Sequence, residues 1–204
     1  MWLDETSWVD VARGWLRDSD GLYEAAVEQV SWSAGRLFRY DRWVEEPRLN
    51  GYWKLGTPAV DPVVVEAPRW LQHRYGVRFD GFAWAWYRDG RDSVAFHRDR
   101  EMRWLDDTII GVLTLGARRP FLLRPRSRRY DHDESKGATH DLAPTGGDLL
   151  VMGGTCPARW EHSVPKVDPR VAGRISMQWR WTSRQGRMEQ GGSYRAPRRY
   201  GDRA

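Results

Sequence analysis

A chain of 204 residues with 40% hydrophobic and 13% aromatic content can bury a core and fits a single globular domain, expected over residues 1–182. It has no run of apolar residues long enough to cross a bilayer, and Met1 to Asp20 carries acids where an export signal would be basic and then apolar, so no membrane span and a cytoplasmic setting are expected. The lone cysteine, Cys156, excludes an internal disulfide and a cysteine zinc cage, while a net charge of +5 suits a polyanionic partner.

In chain order, residues 1–78 read as a helical and lid region. Trp8, Ala12, Trp15 and Leu16 recur at helix spacing, and Leu22, Ala25, Ala26 and Val30 form a second apolar face that Asp20 would cap. Phe38 to Pro58 is irregular and aromatic, which predicts loop with at most one strand. A short helix is expected from Glu66 to Tyr75, with Pro68 in its first turn.

From residue 79 the pattern changes to short apolar runs between turn residues. The expected strands are Phe82 to Tyr87, Ser93 to His97, Thr108 to Leu115, Phe121 to Arg124, Asp148 to Met152, Trp160 to Val164 and Arg174 to Trp181. The fold class is therefore mainly β with N-terminal helices: a double-stranded β-helix, or jelly roll, over 79–182, flanked by helices. Ser127 to Ala138 is too charged for a strand and reads as an exposed loop. The segment 183–204, where arginines alternate with Gly, Ser and Pro, reads as a basic disordered tail.

Chemistry begins at His97-Arg98-Asp99. Along an extended chain residues i and i+2 share a side, so one imidazole and one carboxylate point together. His162, in a separate expected strand, supplies a third ligand. Two His and one carboxylate leave metal positions open for an exogenous chelator and oxygen, as non-haem iron(II) oxygenases require, although zinc accepts the same ligands. Arg174 and Arg180 lie on one face of the last strand, and buried guanidiniums need anions. A keto acid that chelates iron has a distal carboxylate suited to Arg174.

Other residues read more plainly. His73, His132 and His140 are expected at the surface, and Gly146-Gly147-Asp148 lacks the Lys-Ser or Lys-Thr of a phosphate cradle and reads as a turn. Trp84, Trp86, Trp104, Trp179 and Trp181 are expected as core or cover.

Several of these pieces occur together in order: Tyr87 through Asp99, Leu113-Thr114-Leu115-Gly116 followed by Phe121 to Arg124, Gly147 to Gly154, His162, and Arg174 to Arg180. From Tyr40 to Trp181 the chain resembles the AlkB nucleic-acid dealkylases, and most nearly a bacterial subgroup. The resemblance implies iron(II), with 2-oxoglutarate and O2 as co-substrates. It implies that Tyr87 and Arg174 contact 2-oxoglutarate with Arg180 nearby, and that Glu101 reaches the substrate base. It also implies a nucleotide-recognition lid from Tyr40 to Trp53, in which Tyr40, Arg42 and Trp53 would meet the nucleic acid.

Three positions depart from the family: Ala85 and Ser176 where it has Asn, and Gln178 where it often has Thr. They bear on co-substrate affinity and base preference. The expected activity is oxidative dealkylation of N-alkylated bases in DNA or RNA by a monomer. The alternatives are a same-fold oxygenase acting on a protein, lipid or small molecule, and a silent binding module, which would be expected to lose a ligand or the anchoring arginine.

Overall fold

The computed structural model describes residues 1–39, 41–54, 56–79, 81–99, 102–126, 138–186 and 188. From Gly81 onward the chain passes back and forth between two antiparallel sheets. Strands β4 (Gly81–Tyr87), β6 (Thr108–Gly116), β9 (Leu149–Gly154) and β11 (Arg174–Thr182) belong to a large sheet. Strands β5 (Val94–His97), β7 (Leu122–Pro125), β8 (His140–Asp141) and β10 (Trp160–Val164) form a small one, with β7 and β8 consecutive in it. The large sheet is completed by β1 (Ser7–Ala12), β2 (Ser33–Arg39) and β3 (Arg42–Lys54), in the order β1-β9-β6-β11-β4-β3-β2, against β5-β10-β7-β8 in the small sheet. This is the double-stranded β-helix expected from the sequence.

Alternation along the strands explains how one sheet serves two layers. Trp84, Ile109, Leu113, Leu149, Ile175, Met177 and Trp179 pack with Leu22 and Ala26 of α1 (Ser19–Gln29) and with Val64, Ala67 and Leu71 of α2 (Val63–Tyr75). The intervening residues Ala85, Tyr87, Ile110, Val112, Leu150 and Met152 pack with Leu123, Trp160 and Val164 of the small sheet. With both faces covered, β6 is buried along almost its whole length, which is why it reads as a continuous apolar run. Gly111 lets α2 approach closely, because a Cβ there would stand 3.1 Å from Leu71 Cδ1.

The N-terminal expectations need correction. Residues 7–12 form the edge strand β1, paired with β9 from Ser7↔Gly154 to Ala12↔Leu149, and not a helix. Helix α1 starts at Ser19, so Asp20 lies in its first turn, where its charge faces the positive helix end, and Asp18 is the cap residue. Helix α2 starts at Val63, with Asp61 Oδ1 accepting the Val63 N–H at 2.8 Å, which places Pro68 in the interior. The supposed loop from Phe38 is a hairpin of β2 and β3. Pro47 is tolerated there because a register shift opposite Gly35 leaves no ladder bond for it to donate. A four-residue helix, α3 (Cys156–Arg159), and the two-residue β8 also went unpredicted.

His73 is exposed, as expected, and Trp84 and Trp179 are core. His140 is half-buried beside Trp160. His132, most of the Ser127 to Ala138 stretch and nearly all of the basic tail lie outside the described residues.

Candidate metal and co-substrate centre

The site lies between the sheets. Strand β10 pairs with β5 so that His162 stands opposite His97, and their ring centroids are 4.3 Å apart. Asp99 follows two residues beyond His97. One donor atom from each of His97, Asp99 and His162 lies within 4.8 Å of the others. The sequence-predicted triad thus converges, although its members come from two strands and a strand end far apart in the chain.

Charge states favour a cation. Burial, with the neighbouring His97 and arginines, pushes His162 down to about 3, and burial also lowers His97, so both rings are neutral near pH 7. His97 Nδ1 lies 2.9 Å from the Ala95 carbonyl; with the hydrogen on Nδ1 donated there, Nε2 keeps its lone pair for a metal. Burial alone would raise Asp99, but the Arg180 guanidinium and the two imidazoles hold its carboxyl well below the usual carboxylate range. Arg180 Nη2 donates to Asp99 Oδ1 at 3.1 Å, whereas the buried Oδ2 meets no donor among the described residues. A buried carboxylate oxygen left without a donor is what a metal ligand requires before the metal binds.

Arg174 is the complementary cation. It is fully buried, opposite Tyr87 in β4 and Gly116 in β6. Its Nη2 donates to Thr114 Oγ1 at 3.2 Å, but Nε and Nη1 meet no acceptor among the described residues. Burial lowers its pKa to about 10, still charged at neutral pH. Its guanidinium carbon lies 5.7 Å from the Tyr87 ring and 5.9 Å from Phe121. A buried cation with two nitrogens that meet no acceptor among the described residues fits an anionic ligand.

Arg180 shares the face of Arg174, as alternation predicts, but its guanidinium engages Asp99 and Gln178. Its contacts therefore fix a metal-ligand carboxylate. Tyr87 is buried and its hydroxyl accepts a hydrogen bond from Arg48 Nη1 at 3.2 Å. Arg48, Val94, Phe121, Met152, Ser176 and Gln178 line the same cavity as Tyr87 and the triad. Sequence reasoning did not single out Arg48 or Phe121, whose ring lies parallel to His162 at 5.4 Å. The signal for Arg48 is the register of β3, legible only once that strand is recognised.

Trp53 lies on the other face of the sheet. The pairing Trp53↔Phe82 places it on the helix-side face, where it stacks on Phe82 at 5.5 Å, away from the cavity. Arg42 is exposed at the start of β3, in the part of the β2–β3 hairpin that extends past β4. Tyr40 and Glu101 lie outside the described residues. No described helix is long and apolar enough to cross a membrane. Cys156 is buried, and burial raises its thiol to about 12, so it stays protonated.

Comparison with known proteins agrees with this geometry. The chain is 27% identical over 177 residues to alpha-ketoglutarate-dependent dioxygenase alkB homolog 3 of Bos taurus, which covers 81% of this chain and 62% of the relative. It is 25% identical over 178 residues to the DNA oxidative demethylase ALKBH2 of Homo sapiens, covering 80% and 68%. The chain therefore spans about three fifths of the first relative's length. Among solved structures, a 2OG-Fe(II) oxygenase family oxidoreductase from Burkholderia pseudomallei superposes with a TM-score of 0.56 at 12% identity, covering 86% of this chain and 84% of that one. The structure of OsALKBH1 gives 0.55 at 13%, covering 89% and 99%. Residues 62–192 match the profile of enzymes that use iron(II), 2-oxoglutarate and O2, and on that match the chain belongs to the 2OG-Fe(II) oxygenase superfamily.

Proposed function

We propose that this protein removes N-alkyl groups from nucleic-acid bases by iron(II)- and 2-oxoglutarate-dependent oxidation. The observation that carries the reading is a pair of buried groups between the sheets: Asp99 Oδ2, which meets no donor among the described residues, beside two neutral imidazoles, and the Nε and Nη1 of Arg174, which meet no acceptor among them. In this reading His97, Asp99 and His162 hold the metal. Arg174 takes the distal carboxylate of 2-oxoglutarate, with Tyr87 beside it. Arg180 keeps Asp99 ionised and turned inward. Iron(II) held there, with 2-oxoglutarate and O2, supplies the oxidation of an N-alkyl carbon, whose hydroxylated product sheds an aldehyde and leaves the unalkylated base.

The remaining work of the chain is positioning. A base must leave its stack to reach a metal between two sheets. The hairpin offers cations and an exposed aromatic for this, since Arg42 is exposed, Trp43 is 51% exposed and the Arg36 guanidinium lies 6.0 Å from the Trp43 ring. The net charge of +5 and the likeness to a DNA oxidative demethylase support nucleic acid as the substrate class.

Incubation with iron(II), 2-oxoglutarate and N-methylated DNA and RNA oligonucleotides should remove the methyl mass and release succinate. Succinate without demethylation would move the substrate to a protein, lipid or metabolite. In His97→Ala, succinate formation should vanish while oligonucleotide affinity stays within about threefold, because the phosphate contacts that dominate affinity lie elsewhere. Undiminished succinate in that variant would reject the triad.

A further inference from the structure

Arg119, in the turn between β6 and β7, is 1% exposed and lies outside the roles assigned above. Its guanidinium donates to three backbone carbonyls, Asp89 at 2.7 Å, Asp92 at 2.8 Å and Pro165 at 2.9 Å. These acceptors belong to two segments with different origins. Residues 88–93 link Tyr87, the last residue of β4, to the strand that carries His97, and Pro165 directly follows the strand that carries His162. The same guanidinium carbon lies 5.5 Å from the Tyr87 ring.

The two segments are fitted to each other as well as to Arg119. Val167 N–H donates to the Gly90 carbonyl at 2.9 Å, and a Cβ on Gly90 would collide with the Asp168 carbonyl. Asp92 holds Arg88 through both of its oxygens, so residues 88–92 are fixed from the other side too. Two residues beyond Arg119, Phe121 lies parallel to the His162 ring, so the turn that carries the guanidinium also carries a wall of the centre.

We propose that Arg119 is a positioning residue for the co-substrate end of the site: one buried guanidinium ties together the leads of both histidine-bearing strands and backs Tyr87, and through them sets the affinity for 2-oxoglutarate. This rests on the co-substrate reading above. The planar fork is essential, since three carbonyls at fixed angles suit a guanidinium and a lysine ammonium cannot reproduce that geometry.

The test is the binding of 2-oxoglutarate to manganese(II)-loaded protein by calorimetry, alongside amide exchange of metal-free protein, in Arg119→Met and Arg119→Lys. Arg119→Met should raise the Kd for 2-oxoglutarate by on the order of tenfold, the scale of one lost charged hydrogen bond. In turnover the loss should fall on the KM for 2-oxoglutarate, with kcat at saturation within about threefold. Arg119→Lys should recover part of the affinity, and exchange should quicken at 88–93 and 165–168 in both variants. A wild-type Kd in a folded Arg119→Met overturns the proposal. If that variant does not fold, a wild-type Kd in Arg119→Lys does so. Failure of the wild-type protein to bind 2-oxoglutarate would instead remove the functional reading, and unchanged exchange in Arg119→Lys would then reject the clamp on its own.

Discussion

The two faces of the large sheet use the same strands for opposite purposes. On β11 the residues Ile175, Met177 and Trp179 face the helices and are fully buried among apolar neighbours. The alternate residues Arg174, Ser176, Gln178 and Arg180 face the small sheet: Ser176 and Gln178 line the cavity, Arg174 donates to Thr114 and Arg180 to Asp99. A period of two thus separates stability from chemistry within nine residues. The helix-side face is apolar because burial there is its only task, whereas the inner face keeps costly buried charges that a metal and a dicarboxylate would satisfy.

That contrast can be broken by matched substitutions on one strand. Trp179→Ala should cost about 3–5 kcal/mol of stability, read from denaturant melts, while the folded fraction keeps its Kd for 2-oxoglutarate. Arg174→Met should do the reverse, with kcat/KM for 2-oxoglutarate falling on the order of 100-fold and the melt little changed. A large stability loss in Arg174→Met without a binding defect would mean that the two faces are not divided in this way.

The hairpin sharpens the comparison on a smaller scale. Arg42→Ala should weaken oligonucleotide binding a few-fold and reduce the salt slope by about one unit if Arg42 meets a phosphate. Trp53→Phe, on the helix-side face, should leave oligonucleotide affinity unchanged. The reverse pattern in a binding titration would mean that the hairpin presents its other face.

The smallest expected effect concerns pH. His162 is pushed down to about 3, so falling pH does not protonate it until well below the ordinary imidazole range, and Asp99 stays ionised throughout. Manganese(II) affinity should therefore change by less than about twofold between pH 8 and 6, whereas an exposed pair of imidazoles would lose metal as protons compete below about 6.5. A steep loss across that window would show that the rings are not held neutral.

Legibility in the sequence followed burial. The strands from β4 to β11, save the two-residue β8, are legible because turn residues bound short apolar runs, and in β6 and β9 burial makes those runs continuous. The chain before β4 was misread where burial is one-sided. In β1, Ser7 and Val9 are buried but Val11 is exposed, and the helix spacing of Trp8, Ala12, Trp15 and Leu16 joins residues that straddle a strand and a turn. The β2–β3 hairpin hid because its outer half is paired only with itself and carries charges. Of the site, the triad and Arg174 were legible as types at spacings that strands allow. Arg48 and Arg119 were not, since one depends on cross-strand register and the other on carbonyls that no side-chain pattern reveals.

The most direct test is spectroscopic. Anaerobic protein titrated with iron(II) and 2-oxoglutarate should develop the visible charge-transfer absorption of an iron(II)-chelated keto acid, saturating at one iron per chain. Asp99→Ala should abolish it, and Arg174→Met should retain it only at far higher 2-oxoglutarate. An undiminished band in Asp99→Ala, or none in the wild-type protein, would contradict the assignment of this centre.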